Sequence, residues 1–175
     1  MDTLKAIFSR KSVRSYNGEI SEGELKTILK AAYAAPIGRA LYENVHMTVI
    51  SNKELLSQID KSCAELFQNP QMHPLYNAPL FVLVSAKLNG NADNVGYSNC
   101  AIVVQNMALA AVELGIGACH IWGAVRAILQ NKELLAKLNL PEGFTPCCGI
   151  ILGKTNETYT ERQIPEGRIK TDFIR

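Results

Sequence analysis

Apolar residues recur along this chain at two periods. Leu4, Ile7 and Phe8 share a helical face behind Asp2, which suits an N-cap. Ser21 and Glu24 stand at capping-box spacing before Leu25, Ile28, Leu29 and Ala32, and Pro36 and Gly38 break the helix they predict. VHMTVIS at 45–51 alternates as a strand. Asn52 caps a predicted helix over 52–68 that carries Leu55, Leu56, Ile59, Cys63, Leu66 and Phe67. After the turn-rich QNPQMHPLYNAP at 68–79, LFVLVSA at 80–86 is almost wholly apolar, as a strand covered on both faces would be. A long helix is predicted over about 94–115, ended by Gly115 and Gly117, and ACHIWG follows as a short segment. Residues 131–138 read as a helix opened by Asn131, and PCCGIILGK at 146–154 as another buried strand. The tail is polar, holds Pro165 and Gly167, and ends in the strand-like RIKTDFI. Such an alternation needs a sheet to join, within its own subunit or on a partner. No repeat or linker divides 1–175, so the pattern predicts one mixed α and β domain with helices on both sheet faces.

Composition narrows the function. With 47% apolar and 19% charged residues in 175, the chain reads as globular and long enough for a real core. A net charge of +2, from 18 basic and 16 acidic residues, is too balanced for a nucleic-acid footprint but allows one local positive site. MDTLKAIFSRK does not read as a secretory leader, and no apolar run reaches the roughly 18–20 residues of a membrane span. The five cysteines form no C-x-x-C pair and read as small core residues of a reducing cytoplasm. No metal site is expected, since His46, His73 and His120 lack ligand spacing with them.

Chemistry concentrates in three stretches. SRKSVRSYNGE places Arg10, Lys11, Ser12 and Arg14 just after a helix, either as a solvated loop or as converging donors for a phosphate. GIGACHIWG at 115–123 lacks the strand–glycine–helix order of a dinucleotide fingerprint. Its glycines either cap a helix or let the backbone approach a flat ligand. APIGRALYENVH at 35–46 holds a Pro-x-Gly loop between helix and strand. His120, between Cys119 and Ile121, reads as a packed or hydrogen-bonded side chain. Hydrolytic and phosphate-loop motifs are missing, so an enzyme of this kind would rely on a cofactor.

Taken in order, these pieces resemble the nitroreductase family of FMN-dependent oxidoreductases. Arg10-Lys11-Ser12-Val13-Arg14 is similar to the family's FMN phosphate and ribityl motif. Ala35-Pro36-Ile37-Gly38 resembles its loop beside the flavin ring, and HPLYNAPLFVLVS its central segment. QNMALAAVELGIGACHIWG resembles the dimer helix and the turn under the ring, and Thr160-Glu161-Arg162 the late basic position that returns to the phosphate. The resemblance implies an α+β, three-layer α/β/α fold with a mixed, mostly antiparallel sheet, in an intertwined homodimer whose segment 160–175 reaches the partner subunit. It implies FMN held by Arg10, Lys11, Ser12, Arg14 and Arg162. Pro36, Ile37 and Gly38 would lie at the ring edge, and Ile121, Trp122 and Gly123 would present backbone N–H groups to it. NAD(P)H would be the donor and a nitroaromatic or quinone the acceptor, in a ping-pong cycle. Arg39 to Asn44 depart from the family's second-loop pattern. That departure motivates one alternative, a flavin-binding protein with little turnover, and a cofactor-free structural dimer is another. Trp122 could also be plain core.

Overall fold

The computed structural model describes residues 2–91 and 93–175. The helices are α1 (Thr3–Ser9), α2 (Glu22–Tyr33), α3 (Lys53–Leu66), α4 (Asp93–Glu113), α5 (Gly123–Gln130) and α6 (Lys132–Lys137). The strands are β1 (Val45–Ile50), β2 (Leu80–Lys87), β3 (Gly117–Ile121) and β4 (Phe144–Gly153).

Helix starts follow their capping side chains. Asp2 Oδ1 accepts the Leu4 N–H at 2.8 Å, and Asn52 Oδ1 accepts that of Leu55 at 2.9 Å. Ser21 and Glu24 close a reciprocal capping box. Asn131 Oδ1 accepts from Leu134, while its amide reaches Ser62 Oγ on α3 at 3.2 Å. The long helix ends on Gly115, at φ +66°, where Gly115 N–H bonds Val112 O and Ile116 N–H bonds Ala111 O. That two-bond C-terminal motif needs the left-handed residue glycine supplies.

The strands form one sheet in the order β1-β2-β4-β3, and every pair within the chain is antiparallel. The expected three-layer α/β/α fold is present, but the sheet holds no parallel pair among the described residues. α2 and α4 cover one face, over Val82, Val84, Ile150 and Leu152; α3, α5 and α6 cover the other, over Phe81, Leu83 and Ile151. β2 and β4 alternate into two cores, which is why they read as unbroken apolar runs. Val84 pairs with Cys148 and Ser85 with Pro146, so Cys147 is the extra residue of a bulge. The bulge explains how neighbours Cys147 and Cys148 both face the α2/α4 core.

Two elements differ from the sequence expectation, and the long helix expected over about 94–115 is present as α4. ACHIWG is split between β3 and the start of α5, a helix the pattern did not suggest. RIKTDFI forms no strand in its own subunit, and Ile169, Phe173 and Ile174 are 81%, 79% and 100% exposed. α4 has the length and mean hydropathy of a membrane span, yet it lies against α2 and the sheet. Its buried residues recur as Asn99, Cys100, Val103, Val104, Met107, Ala108, Ala111 and Val112, one face of a helix. Val95, Tyr97 and Ile102 on the same helix are exposed.

Candidate functional site

The site is built on the outer edge of β3. Leaving α1, the chain extends along that edge: Val13 N–H bonds Ala118 O at 2.9 Å, and Asn17 and Gly18 bond Lys154 at 2.9 and 2.8 Å. Val13 is fully buried. A Cβ on Gly117 would come within 2.9 Å of Val13 Cγ1 and 3.1 Å of Tyr16 Cε1. Gly117 therefore serves close packing of this segment on β3, and no flat ligand is needed to explain it. With Val13 turned inward, Ser12 is half-buried and Arg14 exposed. Arg14 lies over the Tyr76 ring, 5.6 Å from its centroid.

The cations differ in what already holds them. Lys11 Nζ pairs with Glu157 at 2.7 Å. Arg162 Nε donates to Phe8 O at 2.9 Å and its backbone N–H to the same oxygen at 3.2 Å, so the tail is pinned to the carbonyl end of α1. Among the described residues, Arg10 and Arg14 have no carboxylate within ion-pair distance. The Arg10 charge acts on His120 and Tyr159. Burial first, and then the Arg10 charge, lowers the His120 pKa, so the imidazole is neutral at pH 7. Burial pushes the Tyr159 phenol up to about 12, and its hydroxyl donates to Ile116 O at 2.7 Å. Arg10, Lys11, Ser12 and Arg162 thus gather where α1 meets the β3 edge.

Farther along the edge, β3 passes into α5. Ile121 is a buried core side chain, so only its backbone can face a ligand. Trp122 is 59% exposed and is not core. Gly123 opens α5, whose first internal bond runs from Arg126 N–H to Trp122 O at 3.2 Å, leaving the preceding N–H groups to other partners. The space beside Gly123 is bounded by Phe67, Met72 and Pro74, at 3.8–3.9 Å from a built Cβ. Together with Tyr76, these belong to the segment 67–76, which sequence reasoning did not single out residue by residue. Tyr76 and Asn77 sit at φ 50° and 55°, two successive non-glycine residues in the left-handed region.

Pro36, Ile37 and Gly38 lie elsewhere. Gly38 N–H bonds Asn99 Oδ1 of α4 at 3.1 Å, and Val95 Cγ1 is 3.1 Å from a Cβ built on Gly38. Ile37 lines a 310 Å³ cavity with Tyr33, Val45 and Met47, beside β1. β1 and β3 are opposite edges of the sheet, roughly 14 Å apart at ordinary strand spacing. Within one protomer the structure brings the cations and the β3–α5 turn onto one edge, and it does not bring Pro36–Gly38 to them.

The chain is a two-core α/β/α domain that carries, on one sheet edge, a helix start and an arginine with no carboxylate partner among the described residues. The nitroreductase family model matches residues 7–154, and the chain belongs to the nitroreductase family. A protein from Archaeoglobus fulgidus, provisionally named NADH dehydrogenase/NAD(P)H nitroreductase, is 31% identical over 154 residues, covering 87% of this chain and 84% of its own. A nitroreductase from Desulfitobacterium hafniense, solved with bound FMN, superposes with a TM-score of 0.84 at 26% identity, covering 100% of both chains. The FMN-bound nitroreductase from Bacteroides fragilis gives 0.82 at 27% identity, covering 99% of this chain and 100% of its own.

Proposed function

We propose that this chain is an FMN-dependent NAD(P)H oxidoreductase whose flavin lies along the β3 edge. The observation that carries the reading is Arg10, a half-buried guanidinium with no acidic partner among the described residues, beside Ser12 in a family whose solved members named above hold FMN. The donor set fits the group: Arg10, Ser12, Lys11 and Arg162 suit a phosphate, and Arg14 suits the polar chain beyond it. Bound FMN would take a hydride from NAD(P)H and pass it to a nitroaromatic, quinone or similar acceptor in a second half-reaction.

The chain's own part is placement. Arg10 supplies the charge-assisted bonds that fix one end of the cofactor, and the Trp122–Gly123 turn presents backbone N–H groups where negative charge develops on a reduced ring. Neutral His120 adds no competing positive charge beside Arg10. Phe67, Met72, Pro74 and Tyr76 form an apolar shelf that limits water there.

A complete site calls for Pro36–Gly38 of a second copy, so the reading includes a homodimer. The exposed Val95, Tyr97 and Ile102 of α4 and Leu4 and Ile7 of α1 supply an apolar surface for it. The exposed tail supplies an arm for the partner's sheet. Removing residues 168–175 is expected to shift sedimentation from dimer toward monomer, and an unchanged dimer would count against the arm. With balanced charge and a packed α4, a small-molecule enzyme of the cytoplasm, off membranes and nucleic acid, fits best.

The second reading, a flavin binder with little turnover, is favoured by the departing loop, where Arg39 and Ala40 sit at φ 57° and 56°. One spectrum separates the two. Purified protein reconstituted with FMN is expected to show flavin bands that NAD(P)H bleaches anaerobically and an acceptor restores. Bands that NAD(P)H leaves intact would select the binder, and a colourless protein that takes up no FMN would end both.

A further inference from the structure

We propose that Asp60 of α3 is a positioning residue for this site, acting through the loop 70–79; the proposal rests on the flavin reading above. Asp60 Oδ1 accepts the Leu75 N–H at 3.0 Å. Among the described residues it is the one side chain outside 68–79 that hydrogen-bonds the backbone of 70–79.

The loop has two sides. Met72 and Pro74 bound the space at Gly123, and Tyr76 carries Arg14. His73 and Asn77 lie on the other side, where with Asp60 they line a 1110 Å³ groove against α3. Between these sides the backbone turns tightly, with Tyr76 N–H on His73 O at 2.9 Å and Ala78 N–H on Leu75 O at 2.8 Å. Left-handed conformations at Tyr76 and Asn77 persist only where the surroundings over-determine them. Leu75, buried in the α3/α5 core, is one anchor, and Asp60 is the other.

Neighbouring charges leave Asp60 to this task. Lys53 and Lys61 on the same helix pair with Glu19 and Glu65, at 3.9 and 4.0 Å, and no ion pair forms at Asp60 among the described residues. Burial raises its pKa, against the Leu75 bond and the nearby His73, which lower it. Among the described residues, the Leu75 amide is the hydrogen-bond partner of this half-buried carboxylate.

The test contrasts Asp60→Asn, which keeps an acceptor oxygen, with Asp60→Ala, which does not. In Asp60→Ala the Kd for FMN, read by flavin fluorescence on apo-protein, should rise about tenfold, the scale of one charge-assisted bond. In Asp60→Asn it should stay within about threefold of wild type. In the apo-proteins, hydrogen exchange at the Tyr76 and Ala78 amides should accelerate in Asp60→Ala and not in Asp60→Asn. Asp60→Ser replaces Asp60→Ala if the latter does not fold. Unchanged FMN affinity without the carboxylate, or equal losses in the Asn and Ala variants, would overturn the proposal. A wild-type protein that binds no FMN would sink the flavin reading instead. The exchange data would then decide the clamp alone, with unchanged protection in Asp60→Ala overturning it.

Discussion

Arg10→Ala is expected to weaken FMN binding ten- to a hundredfold while leaving the fold intact. The backbone N–H of Arg10 closes α1 on Ala6 O at 3.0 Å, and alanine keeps that bond. What is lost is a half-buried guanidinium with no carboxylate to satisfy it among the described residues. Removing a charge-assisted bond to a phosphate costs roughly 1.5–3 kcal/mol, which is the quoted range in affinity. The carbonyl end of α1 points at this region, and the negative end of a helix does not favour an anion, so side-chain cations must supply the attraction. Lys11→Ala should cost less, because Glu157 at 2.7 Å already offsets that ammonium. Arg10→Lys should fall between, keeping the charge but losing the fork. Titrating apo-protein with FMN at two salt concentrations checks the order. Equal affinity in wild type and Arg10→Ala, or a larger loss in Lys11→Ala than in Arg10→Ala, would remove the phosphate from this cluster.

That ranking could not be read from the sequence, although the cluster could. Arg10, Lys11, Ser12 and Arg14 are adjacent, and adjacency is visible in a string of letters. The partners that distinguish them are far along the chain: Glu157 neutralises Lys11, and the carbonyls of Ile7 and Phe8 take Arg162. Helix starts were legible because Asp2, Ser21, Asn52 and Asn131 act within three residues. α5 was missed because Trp122 stands at its N-cap with no capping side-chain bond, after a glycine-rich segment that hid the five residues of β3. Pro36–Gly38 was legible as a loop, but its distance from the cations depends on strand order, which a local pattern does not contain. The alternation in RIKTDFI was real and found no strand to pair with in its own chain. Asp60 gave no sequence signal at all, since its partner is a backbone amide.

The same cysteines that read as small core residues predict the second large effect, loss of stability above pH 9. Cys63 and Cys100 are fully buried. Burial, with some help from the Asp60 charge, pushes the Cys63 thiol from 9.0 to about 12. At Cys100 a hydrogen bond with Cys147 acts downward, but the bond to Cys148, burial and the Cys148 charge outweigh it, and the thiol again stands at about 12. Cys147 is raised further. An unfolded thiol gives up its proton near 9, and the folded one holds it. Above that pH the unfolded chain binds fewer protons, so stability falls as pH rises, and the loss ends only at the folded pKa. Each thiol withdraws about 1.4 kcal/mol per pH unit, and the pair on the order of 5 kcal/mol by pH 11. Set against the 5–15 kcal/mol that a domain holds in all, that loss removes about a third or more of the stability by pH 11. Urea titrations under reducing conditions from pH 7.5 to 10.5 measure the slope. Cys63→Ala should be less stable at pH 7.5, having lost a packed sulfur, yet lose about 2 kcal/mol less than wild type on going to pH 10.5. Parallel pH profiles for the two proteins would show that the thiol at Cys63 ionises as freely in the fold as outside it, and the buried-thiol account of alkaline unfolding would fail.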